Sequence, residues 1–229
     1  MSENILEKII KKKIEKIDKL KKDITIKSLK EKIEQNDTFI NFKDKITNNI
    51  NDNKATCLSV LTEEDFFLGN LIHISKIKQK VKLPILCKDF FIDTFQLHLA
   101  KSYGADAILI ILAGISDELA NSLYEEAMKL NISVIVEVHT VDEAKKALNF
   151  KNALIGINNR NLKTLETSIN TTYDIYNVLV NHPCPLVSES GIKTKDELLE
   201  INKKTKIKTF LIGESLLKNL DDNSIFSVL

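Results

Sequence analysis

From Ala55 onward, short β-branched apolar runs alternate with stretches whose apolar residues recur every three or four positions. The continuous runs at 57–61, 85–87, 107–112, 133–138, 153–157, 185–187 and 209–212 predict strands, and the amphipathic stretches at 117–130, 141–148 and 195–202 predict helices. Strands that are apolar on every residue, not on every second one, are those of a parallel sheet covered on both faces. Connections of helical length between them give a βα alternation.

The first part of the chain has a different pattern. Over 5–22, Ile5, Ile9, Ile10, Ile14, Ile17 and Leu20 lie on one stripe with lysines opposite, which predicts a surface helix with a solvated basic face. Over 37–50, Phe39, Phe42 and Ile46 keep helical spacing, and Asp37 or Thr38 can cap the helix. If residues 41–43 formed a strand instead, Lys43 would lie on it. The helical reading is preferred, and it leaves seven strands with no leading one. An open doubly wound sheet and a (β/α)8 barrel both suit such an alternation. No glycine-rich first turn of the dinucleotide type is present. Polar residues instead collect at the ends of several strands, as Lys88, Glu137, Asn158 and Glu189 do, and that favours the barrel. The expected organisation is a helical extension over 1–54 and a barrel over 55–229, forming one structural domain.

Composition narrows the function. Hydrophobic residues at 43% and charged residues at 28% exclude a disordered, collagenous or membrane-embedded chain. Lys and Arg number 33 against 32 Asp and Glu, so no overall field draws nucleic acid or an anionic membrane, and an anionic ligand must be held locally. Cys57, Cys87 and Cys184 lack metal-type spacing, and His73, His98 and His182 lack companions at ligand spacing, so no metal is expected. No apolar run reaches the roughly 18 residues of a membrane span, and the start of the chain lacks the apolar block of a signal peptide. The expected location is the cytoplasm.

Two details point to a site. The one arginine of a lysine-rich chain is Arg160, which suggests a need for a planar, forked donor. Gly156, Gly191 and Gly213 lie in or just after apolar runs, where a backbone turns or approaches a ligand. At the strand ends, Lys88 follows an apolar run, and Glu137 stands between Val136 and Val138, where a carboxylate needs a cavity or a partner. Together they make a candidate acid/base pair. The segment from Gly156 to Leu162 supplies amide and guanidinium donors. Glu189 and Ser190 precede Gly191, and Gly191 and Gly213 follow the last two strands, where barrels commonly bind phosphate. Glu125, Glu126, Asp142 and Glu143 read as helix-surface charges.

The segments SVLTEEDFFLGNL, PILCKDFFID, GADAILIILA, VIVEVHTVDEAKKAL, IGINNRNLKTLE, LVSESGI and FLIGESLL closely resemble the indole-3-glycerol phosphate synthase family of tryptophan biosynthesis, in order and spacing. The similarity runs from Ala55 to about Leu217, and the lysine-rich first helix resembles the family's pre-barrel extension. The resemblance implies a carboxy-lyase on a (β/α)8 barrel that closes the indole ring of 1-(2-carboxyphenylamino)-1-deoxyribulose 5-phosphate with loss of CO2 and water. It implies Lys88 as general acid, Glu137 as acid/base carboxylate, and Asn158 and Glu189 as hydroxyl-holding and orienting groups. It also implies Arg160 beside the anthranilate moiety, Phe90 as an aromatic wall, and Ser190, Gly191 and Gly213 as substrate and phosphate contacts. No cofactor is implied. The implied partners are a phosphorylated small molecule and other tryptophan-pathway enzymes.

The chain departs from the family pattern before SVLT, where a first strand with an E-x-K motif, a Ser-Pro-Ser phosphate loop and a first barrel helix are missing. Cys87 also stands where the family usually has Arg. A relative impaired by this loss, acting as a phosphate-ligand or partner-binding protein, is the alternative of a different class. If residues 37–48 are mainly helical, only seven parallel strands form and Lys43 does not replace the missing lysine.

Overall fold

A computed structural model describes residues 4–36, 39–48, 55–162 and 164–218 of the chain. Three helices come first: α1 (Ile5–Asp23), α2 (Ile26–Glu34) and α3 (Phe42–Asn48). The alternation follows as β1 (Leu58–Leu61), α4 (Ile72–Lys78), β2 (Ile85–Lys88), α5 (Phe95–Ser102), β3 (Ala107–Ile111), α6 (Asp117–Lys129) and β4 (Ser133–Val138). It continues as α7 (Val141–Ala147), β5 (Leu154–Asn158), α8 (Asn170–Leu179), β6 (Leu186–Glu189), α9 (Lys195–Thr205), β7 (Thr209–Leu211) and α10 (Glu214–Lys218). All seven expected strands form, each within two residues of its expected bounds. Strand order in the sheet repeats chain order from β1 to β7, and the registered pairs β1–β2, β2–β3, β5–β6 and β6–β7 are parallel. A doubly wound sheet reverses its order at a switch point. βα units that always step the same way belong to the (β/α)8-barrel class.

The chain divides into two compact units, residues 1–45 with 57–135 and residues 46–56 with 136–229. In the first unit, α1 starts at Asn4, whose side chain caps Glu7 N–H while Glu7 reaches back to Asn4 N–H. Ile17 and Leu29 pack on Phe95 and Leu99 of α5, with Leu20, Ile24, Leu71 and Tyr103 around them. Each such fully buried side chain stabilises the fold by about 1.5–3 kcal/mol. The buried row of α1 is Ile9, Lys13 and Ile17, whereas Ile5 and Ile14 are exposed. The expectation of a wholly solvated lysine face is therefore corrected at Lys13. Its side chain is 6% exposed and its Nζ lies 2.6 Å from Asp89 Oδ1, because a charge brought against a covered sheet is tolerated only when paired.

Residues 39–41 are not helical, so the helix expected over 37–48 starts at Phe42, where Asn41 Oδ1 accepts Asp44 N–H at 3.1 Å. The proposed caps Asp37 and Thr38 lie outside the described residues. The segment docks beneath the entries of β2, β3 and β4. Ile40 N–H donates to Asp106 Oδ1 at 2.7 Å, Lys43 N–H to Ser133 Oγ at 3.2 Å, and Lys101 Nζ sits 4.4 Å above the Phe39 ring. Lys43 thus lies in the first turn of α3 near the amino end of β4, and the strand alternative for residues 41–43 is ruled out. Asp106 is the hub of this region, since its Oδ2 also accepts Ile85 N–H at 2.7 Å and lies 2.6 Å from Lys78 Nζ. Burial still pushes the Asp106 carboxyl up, against the pull of Lys78 and the two amides.

Helix α5 carries no helical stripe in its sequence, because Gln96 and His98 alternate with its apolar residues and all eight residues are buried. His98 on α5 meets Glu126 at 3.0 Å, so Glu126, expected at the helix surface, is partly covered and paired. At β1 the opposite holds. Ser59 and Leu61 are exposed, Leu61 at 43%, whereas β3 is buried throughout. Among the described residues β1 and β7 each have one strand neighbour, as expected when a leading strand is missing.

In the second unit, β5 is buried at every residue, α8 buries Ile175 and Leu179, and α9 buries Leu198 and Ile201. Helix α9 begins with a capping box of Thr194 and Glu197 and ends with Lys206 at φ 61°. Gly156 lies inside β5, within the apolar run that contains it.

Replacing Asp106 by Ala strands a buried Lys78 and two amides, so urea unfolding should show a loss of at least about 3 kcal/mol. Lys78→Met combined with Asp106→Leu should restore part of it. A loss below about 1 kcal/mol in the single variant would remove Asp106 as the hub.

Candidate functional site

The expected site residues occupy the carboxyl ends of their strands. In the first unit Lys88 is the last residue of β2, and Phe90 follows two positions later. The Phe90 ring is held by contact with Phe67, centroids 6.0 Å apart and tilted by 37°. Phe67 sits on the β1–α4 loop, which the Glu63 carboxylate organises by accepting the N–H groups of Asp65, Phe66 and Phe67 at 2.7–3.1 Å. Gly69 closes that loop against β1, where a Cβ would lie 2.4 Å from the Leu61 carbonyl oxygen, so only glycine fits. Asp89 accepts the Thr62 hydroxyl at 2.7 Å as well as Lys13, and burial pushes the neighbouring Cys87 thiol up.

In the second unit Glu137 is 1% exposed within the otherwise apolar β4. A carboxylate so placed must receive donors. Asn158, the last residue of β5, supplies one, its Nδ2–H donating to Glu137 Oε1 at 3.0 Å, while its own Oδ1 accepts Arg160 N–H at 3.0 Å. His139 supplies positive charge from the same strand, with Nε2 3.3 Å from Glu137 Oε1 and Nδ1 3.4 Å from Glu143 Oε2. Neither approach is well aligned as a hydrogen bond, so charge attraction carries them. Burial opposes a charge on His139, but the two carboxylates outweigh it and push its pKa up to about 9. Burial likewise opposes charge on Glu143, yet His139 holds its carboxyl below the usual range. Glu143 is therefore part of a buried charge cluster and not a helix-surface charge.

Glu189 ends β6 fully buried, and its carbonyl accepts Asn159 N–H at 2.9 Å. Ser190 and Gly191 then turn with φ of 65° and 75°. That left-handed pair is pinned by a network the sequence reading did not single out. Asn159 Nδ2 donates to Ser190 O at 3.0 Å and to Ser188 Oγ at 3.1 Å, and Asn159 Oδ1 accepts the N–H and hydroxyl of Thr172 at 3.1 and 2.8 Å. Its signal in the sequence was the adjacent asparagine pair; only one of the two aims along the strand-end row. Arg160 is half-buried, its guanidinium donating to Leu165 O and to Glu214 Oε2, both at 3.3 Å. Glu214 opens α10 directly after Gly213, around which no heavy atom would meet an added Cβ. Within this unit the structure thus joins Glu137 to Asn158, Asn158 to Arg160, and Arg160 to Glu214, the residue after Gly213. Among the described residues no group of three His, Cys, Asp or Glu side chains could hold a metal ion.

Gly191→Ala should cost about 1–2 kcal/mol through its left-handed φ, plus strain from Thr167 Cβ, which would lie 3.1 Å away. Thr167→Gly in the same chain should relieve only the second part, as read in urea. The His139 charge gives a second test. With its folded pKa above the ordinary 6.5, its stabilisation is full below about pH 6.5 and is lost as pH rises through about 9. The stability gap between wild type and His139→Asn should be wide near pH 6 and close above about pH 9; a pH-independent gap would contradict the charged imidazole.

The family model for indole-3-glycerol phosphate synthase matches residues 44–228. The indole-3-glycerol phosphate synthase of Burkholderia lata is 41% identical over 164 residues, 72% of this chain and 62% of that protein. The tryptophan biosynthesis protein TrpCF of Buchnera aphidicola is 41% identical over 177 residues, 76% of this chain and 38% of that protein. The chain thus spans less than two thirds of the length of these curated relatives. In fold it is similar to the phosphoribosylanthranilate isomerase of Thermotoga maritima, with a TM-score of 0.56 at 12% identity, covering 83% of this chain and 93% of that one. With the family model matched over most of its length and relatives at 41% identity, the chain belongs to the indole-3-glycerol phosphate synthase family.

Proposed function

We propose that the protein catalyses the decarboxylating, dehydrating ring closure of 1-(2-carboxyphenylamino)-1-deoxyribulose 5-phosphate to indole-3-glycerol phosphate. The observation that carries this reading is Glu137, buried in an apolar strand yet held by the Asn158 amide at 3.0 Å. So costly a placement is explained by chemistry at a strand end. Lys88 protonates the substrate ketone as the aromatic carbon attacks it, forming the new carbon–carbon bond. The carboxylate then leaves as CO2, its bonding electrons restoring the ring. Glu137 moves protons during loss of the hydroxyl as water, which completes the indole.

Asn158 and Glu189 hold the sugar hydroxyls and orient the acid/base groups. Arg160 and Phe90 flank the anthranilate, and Ser190 contacts the substrate beside the phosphate. The turn at Gly191 and the open position at Gly213 receive that phosphate. The organisation assumed here is an extension over 1–54 and a barrel over 55–229, working in the cytoplasm beside other enzymes of tryptophan synthesis. No helix among the described residues is long and apolar enough to cross a membrane.

The missing E-x-K strand sets the expected rate. One acid/base group contributes about 10²–10⁴-fold, or roughly 3–5 kcal/mol of barrier, so turnover should be slower than in a complete barrel by about that factor. Indole fluorescence released from the substrate reads this directly. Glu137→Gln and Lys88→Met should each lower turnover at least about 100-fold while leaving the melting temperature within a few degrees. Complete absence of turnover in the wild type at high enzyme concentration would overturn the catalytic reading and leave ligand binding as the alternative.

A further inference from the structure

The charge cluster around Glu137 contains two partly buried residues to which the proposed reaction gives no task. His139 leaves β4 immediately beyond the Glu137 carboxylate and presents Nε2 to Oε1 at 3.3 Å. Its other face meets Glu143 Oε2 at 3.4 Å. Glu143 does not depend on the ring for its place. The same Oε2 accepts His139 N–H at 2.7 Å, and Glu143 N–H donates to the Thr140 Oγ1 cap at 3.2 Å. The carboxylate is therefore anchored to the backbone at the start of α7 before any imidazole approaches it. Glu137 Oε1 receives the Asn158 amide from β5 and the imidazole from beyond its own strand.

We propose that His139, clamped by Glu143, is a positioning residue for Glu137, supplying the buried carboxylate with its counter-charge and fixing Oε1 against the Asn158 amide. The inference deepens the reading of Glu137 as the acid/base carboxylate and rests on it. The charged groups that act on the ring are Glu137 from β4 and Glu143 from α7, while β5 contributes the neutral Asn158. Two carboxylates around one imidazole favour its protonated form against the cost of burial. A cation held on both sides has no freedom to turn away, so Glu137 keeps one orientation.

Carboxyl-carbon and imidazole nitrogen resonances of the full-length protein, followed from about pH 5 to about pH 10, test the clamp with no need for turnover. In the wild type, His139 should stay protonated beyond about pH 8. Glu143→Gln should lower its midpoint by about one unit or more, and both Glu143→Gln and His139→Gln should shift the titration of the Glu137 carboxyl carbon. In turnover, Glu143→Gln should reduce kcat about tenfold with KM within about twofold and an unchanged melting temperature. A His139 that titrates in its ordinary range, or a Glu137 resonance unmoved by either variant, overturns the inference even in an inactive protein. A wild type without turnover but with this coupling intact overturns the catalytic reading alone. An unchanged kcat in folded Glu143→Gln removes the positioning role.

Discussion

A carboxylate that ends up buried beside a parallel strand must be given donors and counter-charge, because its desolvation otherwise exceeds what packing returns. Around that requirement the loops of this protein are built. Asp106 gathers Lys78 and the amides of Ile40 and Ile85, and so joins the pre-strand segment to the entries of β2 and β3. Asp89 draws Lys13 of α1 onto the sheet together with Thr62. Glu63 folds the β1–α4 loop through three amides. Glu137 takes Asn158 and His139. In each case the carboxylate fixes the path of the chain around it.

The same requirement is met in two ways. Glu63 is met by backbone amides of its own loop, and Asp106 by two backbone amides together with Lys78. Glu137 is met by side chains, an amide and an imidazole, from residues that themselves stand at strand ends. Side chains can repartition between a substrate and one another, whereas backbone amides in a packed core cannot, so the second arrangement is the one suited to moving protons.

Among the described residues no strand precedes β1, and its exposure differs from that of the central strands. A central parallel strand such as β3 is buried at every residue, whereas β1 exposes Ser59 and Leu61. The loop from Glu63 to Asn70 partly covers that edge, since Asn70 N–H donates to Leu61 O at 3.3 Å and Gly69 lies against the same carbonyl. Edge protection of this kind limits strand addition from other chains. Residues 39–43 lie at the amino ends of the strands, away from that loop.

What the sequence determined by itself was what periodicity and residue chemistry encode locally: seven apolar runs became seven strands, and Glu137 between two valines announced a carboxylate needing a partner. The positions of Lys88, Asn158 and Glu189 at the ends of their strands were equally readable, because a strand's last residue is fixed by where its apolar run stops. Tertiary structure alone decided which charges are inside. Lys13, Glu126 and Glu143 lie on helices with ordinary polar patterns, and their burial depends on Asp89, His98 and His139, each brought near by folding. Helix α5 was invisible for the converse reason, since a helix enclosed on all sides has no polar face to set its period. Periodicity reports the boundary between water and core along one element; a pair formed across two elements leaves no trace in either until they pack.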